Sequence, residues 1–348
     1  MAHFPYLEFS GEPFEIGFAH GRTLRDLIDL QLRETLEAAQ KGGGLSREQA
    51  LAQADAQRSK IADLAPHWLD ELRGLAEGAG ISFEEAIALQ VRPGTGAMPE
   101  GCTSFGISGD VTAGGRPLAG QTRDLVPAYR SRMFMILLRP TRGTPILAHS
   151  VPGELGGVGI NGHGVAVFAN SLWGKSGRNW MAPPLLRRAA LESASADEAV
   201  RKISAMHGPA IGNFLIADQA GHVRNVEILH EGFSLTSCDQ GVFVHTNNCL
   251  DGRLKACEVE KSPSPGSEGR RVRLDATLRQ HVGQLNVTLV KQLLSDHDSQ
   301  PETICRHARS ERDNETTAAL IVEPATRRLH ISYGPPCEGQ FEAYTIAD

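Results

Sequence analysis

The chain changes character at Glu100-Gly101-Cys102-Thr103, and that seam limits the folds open to it. Ahead of it, apolar residues recur at three- and four-residue intervals; beyond it, short β-branched runs alternate with glycine-rich turns. Such a chain predicts a helical segment laid against a sheet-rich body. Two small residues, Gly101 and Cys102, occupy the seam and lead into Thr103-Ser104-Phe105-Gly106-Ile107, which reads as a strand.

In the helical part, Glu12-Pro13 opens a helix carried by Phe14, Ile16, Phe18, Leu24, Leu27, Ile28 and Leu32 and ended by Gly42-Gly43-Gly44. Ser46 and Gln49 make a capping-box pair for a stretch running toward Leu64. Pro66 starts a third helix through Leu69, Leu72 and Leu75, closed by Gly78 and Gly80, and Ser82 caps a short fourth one. Pro93, Gly94, Gly96 and Pro99 make the approach to the seam a place where a backbone cut is tolerated. Beyond it, strands are expected at 117–124, 132–139, 145–149, in a hairpin within 156–172, and at 213–218, 222–229, 233–236, 241–245, 316–322, 328–333 and 341–346. Helices are expected at 184–192, 196–206, 270–281 and 289–297. That order predicts an α+β chain with two sheets and helices on their outer faces.

The 348 residues carry a net charge of −6, which argues against a nucleic-acid binder. The one small basic cluster, Arg270-Arg271 with Arg273, reads as solvated surface. Met1 to Phe9 lacks the basic start and apolar stretch of a secretory signal, and the longest apolar run, Met133 to Leu138, is too short for a bilayer. These features predict a cytoplasmic protein without nucleic-acid or membrane partners. None of the six cysteines forms a Cys-x-x-Cys pair, so reduced thiols and no metal site are expected, with five of them filling core space.

Two motifs mislead. Gly157-Val158-Gly159-Ile160-Asn161-Gly162 matches a dinucleotide fingerprint, but the strand-like Val165-Ala166-Val167-Phe168 follows it where a helix is required; a hairpin turn explains the glycines better. Gly174-Lys175-Ser176 resembles a P-loop end, yet Ala169 stands where the first glycine belongs. Asp296-His297-Asp298 reads as a solvated helix end.

Cys102 has two routes to acyl chemistry, which needs a thiolate, a base and an oxyanion site. As an internal residue it can borrow one of the thirteen histidines. As a new N-terminus, released by a cut after Gly101, it carries its own base, since an α-amine has a reference pKa of about 7.7–8.0. A Gly-Cys pair alone does not choose between them, and core filling is the usual role of such a cysteine.

Gly101-Cys102-Thr103-Ser104, Gly120-Gln121-Thr122-Arg123-Asp124, Gly159-Ile160-Asn161 with Gly164-Val165-Ala166-Val167, and His245-Thr246-Asn247 stand in an order that resembles the isopenicillin-N acyltransferase family of N-terminal-nucleophile enzymes, relatives of the choloylglycine hydrolases. The helical part resembles it through Gly11-Glu12-Pro13-Phe14-Glu15-Ile16-Gly17, His20-Gly21 and the run from Leu72 to Gly80. The resemblance implies a four-layer αββα sandwich, self-cleavage between Gly101 and Cys102, and acyl transfer through a thioester. It implies Cys102 as nucleophile, Asp124 as the carboxylate beside the new amine, Asn247 as side-chain oxyanion donor, and Asn170 as the residue whose backbone N–H completes that hole. Arg306 matches the family's C-terminal site arginine, with Arg309 its rival. Thr122 and Arg123 replace an asparagine and an aromatic residue of the fungal pattern, so a different substrate pocket is expected there.

The resulting expectation is a zymogen divided into a helical part, 1–101, and a catalytic part, 102–348, which stay together after the cut. No cofactor is implied. The expected substrate is a small linear amide or acyl compound, hydrolysed or passed to an amine. The alternatives are an acyl-CoA-dependent N-acyltransferase and an uncleaved, non-catalytic binding protein of the same fold. Association into a homo-oligomer is left open.

Overall fold

The computed structural model describes residues 3–94, 101–174, 183–206, 211–259, 266–298 and 303–347. The chain begins with β1 (Tyr6–Gly11), followed by α1 (Pro13–Thr23), α2 (Arg25–Gly43), α3 (Arg47–Asp55), α4 (Arg58–Leu64), α5 (Pro66–Ala79) and α6 (Phe83–Val91). Past the seam come β2 (Gly101–Ile107), β3 (Leu118–Leu125), β4 (Phe134–Pro140), β5 (Ile146–Ser150), β6 (Val158–Asn161) and β7 (Ala166–Asn170). Then follow α7 (Pro183–Leu191), α8 (Ala196–Ala205), β8 (Gly212–Ala217), β9 (Val223–Leu229), β10 (Gly232–Cys238) and β11 (Val242–His245). The chain closes with α9 (Gly252–Lys255), α10 (Ser267–Gln280), α11 (Val287–Leu294), β12 (Glu315–Glu323), β13 (Arg328–Tyr333) and β14 (Phe341–Thr345).

Eight strands make one sheet in the order β1-β4-β5-β6-β7-β8-β9-β10, and six make a second in the order β11-β2-β3-β12-β13-β14. Strand alternation divides their side chains among three cores. From β4, Ile136 and Leu138 face the core beneath α1 to α8, while Met135 and Leu137 face the core between the sheets. From β12, Leu320 and Val322 join the inter-sheet core, while Ala319 and Ile321 pack with Leu274, Leu278, Val290 and Leu294 of α10 and α11. Both faces of the inner strands are thus covered, which is why strands such as β4 read as unbroken apolar runs, while β1, β10 and β14 at the edges stay largely exposed or half-buried. The architecture is an αββα sandwich.

The expected caps form. Ser46 accepts from the Gln49 N–H while Gln49 accepts from the Ser46 N–H, and Ser82 and Glu85 do the same. The fingerprint-like glycines belong to a β6–β7 hairpin: Asn161 Oδ1 accepts from the backbone of His163 and Val165, and its Nδ2 donates to Leu191 and Ser193. Gly96, Pro99, Glu100, Lys175 and Ser176 lie outside the described residues.

The first hundred residues depart from a purely helical reading. β1 adds to the edge of the eight-stranded sheet, parallel to β4. It is short, with Phe9 its one buried side chain, so its pairing rests on backbone groups that leave no pattern in sequence. The first expected helix breaks at Leu24 into α1 and α2, and the second breaks into α3 and α4. A single-turn helix, α9, also follows β11, where none was expected.

α1 and α5 approach through glycines on both. A Cβ on Gly17 would stand 1.9 Å from the Glu71 carbonyl oxygen, and one on Gly74 would stand 2.0 Å from that of Phe14. α5 is then tied across the seam: Arg188 of α7 donates to both carboxylate oxygens of Glu71, at 3.0 and 2.7 Å, inside the core. Gly74→Val should force α1 and α5 apart and cost about 2–3 kcal/mol, the upper range of overpacking. A drop in the urea midpoint at unchanged slope checks this.

Candidate active site

Register carries the seam into the middle of the second sheet. In the β2–β3 pair Gly101 stands opposite Asp124, Cys102 opposite Arg123 and Thr103 opposite Thr122. β11 flanks β2 on its other side, with His245 opposite Ser104. Two residues further along, Asn247 reaches the level of Cys102, and its Oδ1 accepts the Cys102 backbone N–H at 2.9 Å. Arg270 also donates to that oxygen, at 3.1 Å, so two donors fix the amide's orientation. The Asn247 Nδ2 donates to the Ser171 carbonyl and its backbone N–H to the Ser267 hydroxyl. Both ring nitrogens of His245 face oxygens, the Glu227 carboxylate at 2.8 Å and the Thr246 carbonyl at 2.6 Å, which anchors this turn to β9.

Beneath Gly101 lies a buried charge cluster. Asp124 Oδ1 accepts from the Thr316 hydroxyl at 2.9 Å. Its Oδ2 lies 3.8 Å from Arg270 Nε and 3.7 Å from Arg306 Nη1, and has no hydrogen-bond partner among the described residues. A Cβ on Gly101 would come within 2.7 Å of Arg306 Nη1 and 3.1 Å of Asp124 Oδ2. Any side chain at position 101 would therefore have to displace a guanidinium and press on a buried carboxylate. The constraint is not a strained turn, since the residue sits in an ordinary strand. Burial pushes the Asp124 carboxyl above its usual range; Arg270, Arg306 and Thr316 pull the other way without overcoming it.

Alternation turns the other face of β2 toward the first sheet. Ser104 donates to Asn170 Oδ1 at 2.6 Å, and Gln121 donates to the Ala169 carbonyl. Arg123, opposite Cys102, donates to His149 Nδ1 at 3.2 Å; burial, aided by Arg123, holds the His149 pKa well below its usual value. A cleft of about 40 Å³ lies here, lined by Arg123, Asn170, Ser171, Arg187, Asn213 and Phe214 among others. Asn170 Nδ2 has no partner among the described residues. Of the two residues expected near the substrate, Arg123 shares the face of Cys102 and lines this cleft, while Thr122, opposite Thr103, shares the face of Asp124.

Cys102, Asp124, Asn247 and Arg306 are thus brought together, and Asn170 joins them through Ser104. Arg309, the rival arginine, stands on an exposed turn with its N–H on Asp313. The expectation of a solvated Arg270 is overturned: its side chain is 1% exposed and donates to Thr103 and Asn247 beside Asp124. A signal existed, because Arg270 lies four and eight residues before Leu274 and Leu278, on the buried stripe of α10. Thr316, at the start of β12, carried none. Of the cysteines expected in the core, Cys249 and Cys305 are buried, Cys238 and Cys257 half-buried and Cys337 exposed.

The family model for acyl-coenzyme A:6-aminopenicillanic acid acyl-transferase matches residues 111–338. The chain belongs to this family of acyl-transferring enzymes. Among its relatives is the 40 kDa form of acyl-coenzyme A:6-aminopenicillanic-acid-acyltransferase of Emericella nidulans, 27% identical over 336 residues, covering 94% of this chain and 91% of that one. Similar solved structures include the conjugated bile acid hydrolase of Clostridium perfringens (TM-score 0.45, 11% identity, 71% of this chain and 97% of that one). Another is the Caenorhabditis elegans ortholog of N-acylethanolamine-hydrolyzing acid amidase (TM-score 0.45, 12% identity, 64% and 93%). No helix among the described residues of this family member is long and apolar enough to cross a membrane.

A carboxyl whose folded pKa lies above its unfolded value of about 3.9 favours folding below that value and loses the benefit as pH rises through the folded pKa. Ionised Asp124 is then a net cost at pH 7. Arg270→Met, which strips the carboxylate of a buried partner, should lose about 3–5 kcal/mol at that pH, and the loss should shrink as pH falls and Asp124 takes up a proton. Calorimetry of the variant beside the wild type at pH 7 and at lower pH checks both.

Proposed function

We propose that the chain cuts itself between Gly101 and Cys102 and then works as a cysteine N-terminal-nucleophile amidohydrolase on a linear carboxamide. One observation carries this reading. The peptide nitrogen of Cys102 already rests on Asn247 Oδ1, and Gly101 lies against Asp124 Oδ2, so an amine liberated there has an amide oxygen and a carboxylate waiting for it. Cys102 is also 0% exposed, so an external substrate reaches its sulfur only after local rearrangement.

In the cut, Cys102 Sγ attacks the Gly101 carbonyl carbon and a C–S bond replaces the C–N bond. The thiol proton ends on the departing nitrogen. Water then opens the thioester, leaving a Gly101 carboxyl and restoring the thiol. The pieces have 101 and 247 residues (348 − 101) and stay together through β1 on β4 and Arg188 on Glu71. In turnover, the α-amine takes the thiol proton as sulfur attacks the substrate carbonyl and delivers it to the leaving amine. Asn247 and Asn170 hold the oxyanion, Asp124 orients the amine, and Arg306 offsets the carboxylate's charge. Arg123, in the cleft beside Cys102, and Thr122, next to Asp124, shape the acyl site from opposite faces of β3. The acyl group leaves on water.

A second reading, transfer from an acyl-CoA thioester to an amine, is favoured by the acyl-coenzyme A donor in the matched family's description. Both pass through the same acyl-enzyme. Acid-quenched protein incubated with a simple amide, and separately with an acyl-CoA plus an amine, should carry the acyl mass on a peptide that begins with Cys102; Cys102→Ala should carry none. Release to water in the first arm supports hydrolysis, and an adduct on another residue refutes the assignment. Asn247→Leu should lower kcat by about 10²–10³, the usual loss for one oxyanion donor.

A further inference from the structure

Four side chains from three separate segments converge at one end of the strands β12 to β14. His297 follows α11, Cys305 and His307 precede β12, and Cys337 lies between β13 and β14. Their ligand atoms all lie within 4.8 Å of one another. His307 Nε2 is 3.0 Å from His297 Nε2, 3.8 Å from Cys305 Sγ and 3.3 Å from Cys337 Sγ, and the two sulfurs are 3.6 Å apart. A tetrahedron with Zn–S of about 2.3 Å and Zn–N of about 2.0–2.1 Å has edges near 3.3 Å (N to N), 3.5 Å (N to S) and 3.8 Å (S to S). The four edges at His307 and between the sulfurs lie within about 0.3 Å of these lengths, and the remaining distances, from His297 to the sulfurs, are no longer than 4.8 Å.

A further contact points the same way. His307 Nδ1 lies 3.3 Å from the Glu338 carboxylate, leaving Nε2 to face the sulfurs. A carboxylate behind the imidazole is the usual support of a metal-bound histidine, because it fixes the tautomer and makes the ring a better donor. The neighbouring acids are engaged elsewhere: Arg273 binds both Asp296 and Asp298.

We infer that His297, Cys305, His307 and Cys337 form a closed, four-coordinate zinc site. Two thiolates would balance the ion's charge, and no position is left for water or substrate, so the role is structural. The ion clamps the segment before β12 to the turn between β13 and β14. Arg306 stands between two ligands, and its backbone N–H and carbonyl are both bound to Thr316, the residue whose hydroxyl donates to Asp124. The clamp therefore holds Arg306 Nη1 at Asp124. The metal site stands independently of the proposed acyl chemistry; its influence on Arg306 rests on that reading. Linear spacing hides such a site, since ten residues separate the histidines and thirty separate His307 from Cys337.

Full-length protein, untagged and reduced, is incubated with one equivalent of zinc sulfate, desalted and analysed for metal. The expected result is about one zinc per chain, falling to background in Cys337→Ser and in His307→Ala. Glu338→Gln, at an exposed position, should fold normally and bind zinc about 10–100-fold more weakly. Cobalt in place of zinc should give a thiolate-to-metal charge-transfer band that disappears in Cys337→Ser. A wild type that retains no zinc, variants that retain as much as the wild type, or a Cys305–Cys337 disulfide peptide in a non-reducing digest of the purified protein would each overturn the assignment.

Discussion

Everything at the centre of this molecule follows from one crowded point, where the space a side chain on Gly101 would need is taken by a buried carboxylate flanked by two guanidiniums. Asp124 is expensive to bury, and its partners at 3.7 and 3.8 Å do not fully offset the cost. A sheet built for stability alone would put an apolar residue there. The remainder of the fold keeps that point in register: β3 brings Asp124 opposite Gly101, β11 delivers Asn247 to the Cys102 nitrogen, and α10 drives Arg270 beneath both.

The two sides of the seam are not packed as independent units. β1 completes an edge of the eight-stranded sheet, and the glycine-lined contact of α1 with α5 sets α5 where Glu71 meets Arg188. On the proposed cut after Gly101, one covalent bond would be severed while these contacts across the seam remain to hold the two pieces together.

Sequence made much of this legible where chemistry is local. The caps at Ser46 and Ser82, the turn at Asn161 and the unbroken apolar strands each follow from nearby residues, and the ordered motifs led from them to Cys102, Asp124 and Asn247. What escaped was non-local. β1 pairs through backbone groups that almost any residue supplies. Arg270 sits within a basic cluster that reads as surface unless its place on the stripe with Leu274 and Leu278 is weighed above its charge. Thr316, and the gathering of His297, Cys305, His307 and Cys337, exist only once distant strands are side by side. The glycine at 101 was noticed, but what crowds it, two charged side chains arriving from elsewhere in the chain, was not visible in the sequence around it.

The most direct test is the intact mass of freshly purified wild-type protein beside Cys102→Ala, with the amino terminus of each fragment sequenced. The account predicts two co-purifying pieces of 101 and 247 residues (348 − 101) in the wild type, the larger beginning Cys-Thr-Ser-Phe, and one full-length chain in the variant. A full-length wild type that turns over substrate, or an alanine variant that still divides, would contradict it.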